Sequence, residues 1–280
     1  RVGNLILSLS LEGFEEANDS RRGQGVYQKV LAAMDLLKAH GLIFGTSICY
    51  TRNNLEVVTS DDFLDLLIGH GCRYSWYFHY MPVGNEASVD LLPTAAQREY
   101  MYHRIREIRA REGGKPIFVM DFQNDGEYVG GCIAGGRNYL HINADGDVEP
   151  CVFIHYSSAN IKEVSLLEAL KQPLFMAYRD GQPFNHNQLR PCPMLENPEL
   201  LEAMVEKAGA KSTDLQSPET AEHLCGKCRE YAEEWQKTAD KLWAANPHHQ
   251  ASFENYRENK TSPAGTGAFC PAGPGADRSV

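Results

Sequence analysis

The chain has 280 residues, enough for one large domain or two ordinary ones, and its 42% apolar and 23% charged content is that of a soluble globular protein. A formal net charge of −10 argues against a general nucleic-acid binder, because little would offset phosphate repulsion. No apolar run approaches the length of a membrane span and no signal peptide is evident, which points to the cytoplasm. The 8 cysteines belong to a large chain with a full apolar inventory, so their clustering favours metal binding over disulfide staples.

The first 120 or so residues repeat a strand–helix rhythm. Asn4 to Leu11 is predicted as a strand, followed by a helix on which Val26, Val30, Ala33, Met34 and Leu37 recur at helical spacing and Gly41 supplies the stop. Leu42 to Tyr50 is the next strand, and Ser60-Asp61-Asp62 opens a helix with Phe63, Leu64 and Leu67 on its face. Tyr74 to Met81 is a third strand, ended by Pro82 and Gly84. Thr94 and Gln97 form a capping box for a long helix with a Met101, Ile105, Ile108 stripe, and Ile117 to Phe122 is a fourth strand. Strands alternating with helices imply parallel pairing and an α/β fold. Strand-like apolar residues at the start of the chain, with nothing before them to cover the edge, suggest the later part of a larger barrel. Cys49 and Cys72 read as small buried hydrophobes.

After residue 123 the pattern changes to a glycine-rich stretch and then a hairpin. Asn138 to Asn143 is the first arm, Ala144-Asp145-Gly146-Asp147 the turn, and Val148 begins the return arm that delivers Cys151. With Cys132 ahead of it, the hairpin carries two thiols near its ends, and Cys192, Cys225 and Cys228 follow downstream. Such an array suits a metal centre. Prolines flank Cys192, and the spacing Cys225-Gly-Lys-Cys228 lets two thiolates reach one centre from a predicted helix start, where the dipole should lower thiol pKa. Zinc and a redox-active Cys225–Cys228 disulfide remain alternatives, while His155 and His186 read as packed or surface residues. Ser165 and Glu168 cap a short helix; Pro198 to Gly209 and Ser217 to Ala245 are predicted as two more. The division expected is 1–123, 124–246 and a Pro-, Gly- and Ser-rich disordered tail over 247–280 that contains Cys270.

Cys132, Gly136, Leu140, Ile142, Gly146, Val148, Pro150 and Cys151 resemble the pattern that opens the auxiliary iron–sulfur site of radical S-adenosylmethionine enzymes with a SPASM or twitch extension. Ser8-Leu9-Ser10-Leu11-Glu12-Gly13, with Asp19, Arg22-Gly23 and Gly25-Val26-Tyr27, resembles a strand and loop of their barrel, with Glu12 where Asp is usual. The resemblance implies the C-terminal part of a partial (β/α)6 barrel, then an α+β cysteine-bearing extension. It implies that Ser10, Arg22, Asn53 and Tyr80 line the S-adenosylmethionine pocket, Arg22 gripping the cofactor's carboxylate bidentately. It implies that four of Cys132, Cys151, Cys192, Cys225 and Cys228 hold an auxiliary [4Fe-4S] cluster. The family's C-x-x-x-C-x-x-C run for the catalytic cluster is missing, so this chain alone is expected to be inactive.

The expected function is therefore that of part of a radical S-adenosylmethionine oxidoreductase, generating a 5′-deoxyadenosyl radical for hydrogen abstraction. The auxiliary cluster would relay electrons or anchor substrate. The partners implied are a peptide or small-molecule substrate and a reductant such as ferredoxin or flavodoxin. A non-catalytic zinc or iron–sulfur scaffold, or an electron carrier, is the alternative.

Overall fold

The computed structural model describes residues 3–110 and 112–246. The predicted disordered tail and Cys270 lie outside the described residues. The chain divides into two compact units. One runs to Asn124 and takes in Glu233–Thr238; the other comprises Asp125–Ala232 and the described residues from Ala239. A simple cut at 123 does not describe this, because a late piece of chain returns to the first unit.

The first unit is built on four parallel strands in the order β1 (Leu7–Ser10), β2 (Phe44–Tyr50), β3 (Tyr74–His79) and β4 (Phe118–Asp121). Parallel neighbours need long crossovers. These are supplied by α1 (Glu15–Arg22) and α2 (Val26–Ala39), by α3 (Leu55–Val58) and α4 (Asp61–Gly69), and by α5 (Ala95–Ile108). The register sets Leu7 beside Phe44, Gly45 beside Tyr74, and Tyr74 beside Phe118. The α/β class and the parallel pairing agree with expectation.

The strands are shorter than predicted. Leu5 and Ile6 fall outside β1 and are exposed, because the ladder with β2 begins only at Leu7 and Phe44. Among the described residues β1 is a sheet edge. Residues 15–22, expected as a loop, form helix α1. Its Phe14 N-cap makes no side-chain cap, so the charge pattern alone, Glu15 and Glu16 in the first turn and Arg21 and Arg22 in the last, marks its ends.

Alternation decides which face is buried. On β2, Phe44, Thr46, Ile48 and Tyr50 face the helices and are buried, whereas Ser47 and Cys49 are half-buried. The core against that face takes Met34 from α2, Phe63, Leu64 and Leu67 from α4, and Met101, Ile105 and Ile108 from α5. Burying each such side chain fully contributes about 1.5–3 kcal/mol relative to exposure. Two helix starts follow their sequence signals: Ser60 accepts the Phe63 N–H, and Thr94 with Gln97 forms the expected reciprocal cap. The opposite sheet face carries Trp76 and Phe78, with Phe122 just past β4; the Trp76–Phe78 and Phe78–Phe122 ring centroids are each 5.3 Å apart.

A polar network closes the first unit. Arg98 of α5 is fully buried. Its Nε donates to Asn124 Oδ1 (2.9 Å), and its guanidinium lies 4.2 Å from the centroid of the Trp235 ring. Asn124 donates in turn to Asp121 Oδ2 (2.8 Å), whose Oδ1 accepts from the Tyr50 hydroxyl (3.1 Å). Such a cation is tolerated inside only because it is hydrogen-bonded and its charge is answered.

In the second unit, α6 (Gly126–Val129) is followed by the predicted hairpin. Its ladder is short: β5 is His141–Ile142 and β6 is Val148–Glu149, with His141 opposite Glu149. The turn is held by Asn143, whose Oδ1 accepts the N–H groups of Asp145 (3.0 Å) and Asp147 (2.9 Å). A second pair joins β7 (Tyr156–Ser157) to β8 (Lys211–Ser212). Helices α7 (Leu166–Ala169), α8 (Pro173–Gly181), α9 (Pro198–Ala208) and α10 (Ala221–Ala245) complete the elements. The capping box at Ser165 and Glu168 is present, and Val148, Ala169 and Phe175 form a small core. Helix α10 begins at Ala221, not at Ser217, because the Ser217 N–H is taken by Asp214 Oδ1 (3.0 Å) and Thr220 is the cap.

Candidate metal centre

The five downstream cysteines all lie in the second unit. Cys132 sits on an irregular loop, and its backbone is clamped. Gln182 Nε2 donates to the Cys132 carbonyl (3.1 Å) and to that of Ala134 (3.2 Å), while Arg137 Nη1 donates to the Cys132 carbonyl at 2.8 Å. The Gly135 N–H donates to the Pro150 carbonyl (3.0 Å), which ties the Cys132 loop to the residue before Cys151. Cys192 sits in a tight turn: its N–H donates to Glu196 Oε2 (2.6 Å), and its Sγ accepts the Leu195 N–H at 3.4 Å. Asn197 Nδ2 closes the turn on the Arg190 (2.9 Å) and Cys192 (3.0 Å) carbonyls. Cys225 and Cys228 are one turn apart on α10 and fully buried.

The thiols sense one another. Burial pushes the Cys132 thiol up to about 12, and negative charge on Cys151 and Glu196 adds to this. Cys151 is raised to about 11, again mainly by burial. Cys192 is held well above its ordinary value by burial, then by the charges of Glu196 and Cys132. Cys225 and Cys228 both rise to about 12 through burial, and Cys228 also responds to Cys225 and Glu196. The predicted lowering by the helix start is thus reversed: α10 begins four residues before Cys225, and desolvation outweighs the dipole.

Among the described residues no three His, Cys, Asp or Glu side chains are gathered as closely as a single metal ion requires. The thiolates of a four-iron cluster need no such closeness, since with metal–sulfur bonds of ~2.3 Å they stand roughly 6–7 Å apart. Among the described residues, two buried hydrogen-bond donors here lack partners, the Tyr178 hydroxyl and Arg190 Nε. Tyr178 is fully buried, and the charges of Cys132, Cys192, Cys151 and Cys225 each oppose its ionisation. Buried and half-buried thiols, with an unpartnered hydroxyl donor packed on the Cys132 loop, make a set whose chemistry fits an iron–sulfur cluster. Glu196, four residues after Cys192, and Tyr178, brought in only by packing on Gly135, were not singled out from sequence. Of the two histidines nearby, His155 Nε2 is engaged by the Val152 carbonyl (3.0 Å).

In the first unit, Ser10 ends β1, Tyr80 directly follows β3, and Asn53 lies in the turn after β2, all at the C-terminal ends of parallel strands. Arg22 donates to Glu12 Oε1 (2.6 Å), and Arg21 pairs with Glu12 Oε2 (3.1 Å). Asp19 is instead engaged by the N–H groups of Gly25 (2.6 Å) and Tyr27 (2.8 Å). Asn53 is exposed; it is Asn54, three residues after Thr51, that is tied in, donating to the Glu12 and Cys49 carbonyls (both 3.2 Å). Cys72 is buried as expected, but Cys49 is only half-buried. His79 is buried with Nδ1 on the Tyr80 carbonyl (2.6 Å), so Tyr80, not His79, is the open member of that pair.

Residues 132–194 match the family model of the SPASM iron–sulfur cluster-binding domain. Two AdoMet-dependent heme synthases are similar over most of the chain. That of Oleidesulfovibrio alaskensis is 22% identical over 215 residues, covering 64% of this chain and 52% of the relative. That of Nitratidesulfovibrio vulgaris is 24% identical over 211 residues, covering 66% and 56%. The chain therefore spans about half the length of these curated relatives. Among solved structures, native anSMEcpe with bound AdoMet and Cp18Cys peptide aligns with a TM-score of 0.48 at 14% identity, over 85% of this chain and 69% of that one. Streptococcus suis SuiB aligns with a TM-score of 0.47 at 16% identity, over 62% and 45%. Residues 132–194 are thus similar to iron–sulfur domains of the SPASM type. The chain is a relative of the radical S-adenosylmethionine enzymes that carry this domain.

Proposed function

We propose that this chain is part of a radical S-adenosylmethionine oxidoreductase, and that its second unit holds an auxiliary [4Fe-4S] cluster through Cys132, Cys151, Cys192 and one of Cys225 and Cys228. The observation that carries the reading is the Cys132 loop tied through the Gly135 N–H to the residue before Cys151, in the unit that also holds Cys192, Cys225 and Cys228 and contains the matched domain. When bound, the cluster supplies a one-electron site, and S-adenosylmethionine supplies a radical able to abstract hydrogen. The protein's part is to fix the thiols. Arg137 and Gln182 hold the Cys132 carbonyl, and Glu196 holds the Cys192 amide.

Ser10, Arg22, Asn53 and Tyr80 are proposed to line the cofactor pocket as part of the sheet's C-terminal rim. Glu12 occupies Arg22 and Arg21 together, which leaves one positive charge over to attract a ligand carboxylate. The name shared by the two relatives makes a tetrapyrrole the first substrate to test. Trp76, Phe78 and Phe122 offer it flat surfaces on the open sheet face. A ferredoxin or flavodoxin is the proposed electron donor.

The test is anaerobic reconstitution of the chain with ferrous iron and sulfide, followed by metal and acid-labile sulfide analysis. The expected product carries four irons and four sulfides. Cys132→Ala, Cys151→Ala and Cys192→Ala should each abolish it, and only one of Cys225→Ala and Cys228→Ala should. Zinc without sulfide would replace this reading with a structural scaffold.

A further inference from the structure

We propose that Tyr178 donates a hydrogen bond to a sulfur of the iron–sulfur centre and thereby raises its reduction potential. The proposal rests on the cluster reading above and assigns a role to a residue outside the cysteine pattern.

Packing fixes the ring. Helix α8 lies along the Cys132 loop, and Tyr178 presses on Gly135 so closely that a Cβ added there would sit 2.5 Å from the tyrosine Cβ. One turn later Gln182 is bonded to the Cys132 and Ala134 carbonyls of the same loop. Phe184 meets the tyrosine edge-on, with ring centroids 5.2 Å apart. With its ring held by these contacts, Tyr178 buries a hydroxyl that has no hydrogen-bond partner. Stranding a buried donor costs about 1–3 kcal/mol, and native structures rarely do it. The loop it presses on carries Cys132 and is tied through Gly135 to the residue before Cys151, so its surroundings include proposed ligands.

Sulfur in a thiolate-ligated cluster accepts hydrogen bonds, and accepts them more strongly once an added electron raises its negative charge. A donor therefore stabilises the reduced state more than the oxidised one and moves the potential upward. The Leu195 N–H on Cys192 Sγ is a backbone precedent at the same centre.

The experiment uses the full chain, reconstituted anaerobically, as wild type and as Tyr178→Phe. Iron and sulfide are counted and the cluster is titrated by electron paramagnetic resonance with redox mediators. The expected result is unchanged iron and sulfide with a more negative midpoint. At the wild-type midpoint the reduced-to-oxidised ratio should fall about tenfold, which is ~59 mV for one electron. An unchanged midpoint at full iron content overturns the proposal. If Tyr178→Phe does not hold the cluster, 3-fluorotyrosine placed at position 178 keeps the shape and strengthens the donor. It should then shift the midpoint upward, and no shift refutes the idea. Absence of any cluster in the wild type would instead remove the cluster reading, a separate outcome visible in the iron count alone.

Discussion

Replacing Gly135 by alanine should damage the second unit through two separable effects. Gly135 has φ 67°, a left-handed conformation that costs an L-residue about 1–2 kcal/mol. Its added Cβ would also meet Tyr178 at Cβ, Cδ1 and Cγ, at 2.5–2.6 Å, and none of these atoms is the free end of a flexible chain. Overpacking of this kind costs about 1–3 kcal/mol. The sum, about 2–5 kcal/mol, is a large share of the roughly 5–15 kcal/mol that holds a domain together. Gly209, at the end of α9, is the control: it has φ 61° and open space around its missing Cβ, so Gly209→Ala isolates the backbone cost. At about 4 °C per kcal/mol, Gly135→Ala should melt roughly 8–20 °C below wild type and Gly209→Ala roughly 4–8 °C below. Differential scanning calorimetry of the metal-free protein measures both. Equal melting temperatures for the two variants would refute the claimed contact between Tyr178 and the cysteine loop.

Other outcomes are expected in the first unit. Arg98→Met should cost about 3–5 kcal/mol in urea unfolding, because it strips the buried polar network around Asn124 and Asp121 of its cation; a loss under about 1 kcal/mol would contradict this. His79 has its pKa lowered to about 3 by burial and by the charge of Arg98, so the unfolded chain takes up the proton first, near 6.5. Its contribution is thus complete above about pH 6.5 and is lost as pH falls toward 3, by up to ~1.4 kcal/mol per pH unit. His79→Gln should flatten the stability profile between pH 6.5 and 5, and an unchanged slope there would show the histidine to be irrelevant. Ser60→Ala removes the cap on the Phe63 N–H and should cost about 1 kcal/mol by denaturant midpoint; no change would mean that the cap is not stabilising.

Local signals in the sequence were good guides where the physics is local. The Thr94–Gln97 box, the Ser165–Glu168 box and the Asp145-Gly146 turn each involve groups within a few residues, and each is formed. Helix α1 was not legible because its start has no side-chain cap and its residues carry no apolar stripe. The partner of Arg22 was not legible either. Glu15, Glu16 and Asp19 are all nearer in sequence, but Asp19 accepts from the backbone of Gly25 and Tyr27, Glu15 accepts from Gln28, and Arg22 pairs with Glu12. At the candidate metal centre the cysteines were visible in the spacing, whereas Tyr178 and Glu196 owe their places to tertiary packing and to one turn around Cys192. The depressed thiol pKa expected for Cys225 failed because burial, which outweighs the helix dipole there, could not be read from the chain.

The stacking of Trp235 beneath Arg98 has a bearing on how this protein can be dissected. Trp235 enters the first unit from the far end of the sequence, carried on α10 within Glu233–Thr238. A fragment stopped after Asn124 would keep every strand of the parallel sheet yet expose one side of a guanidinium that the intact chain covers with an indole. Limited proteolysis or gene truncation at that junction would therefore yield a weakened sheet domain rather than an autonomous one. Exchange of the cysteine-bearing part between related proteins would have to bring a compatible aromatic residue with it.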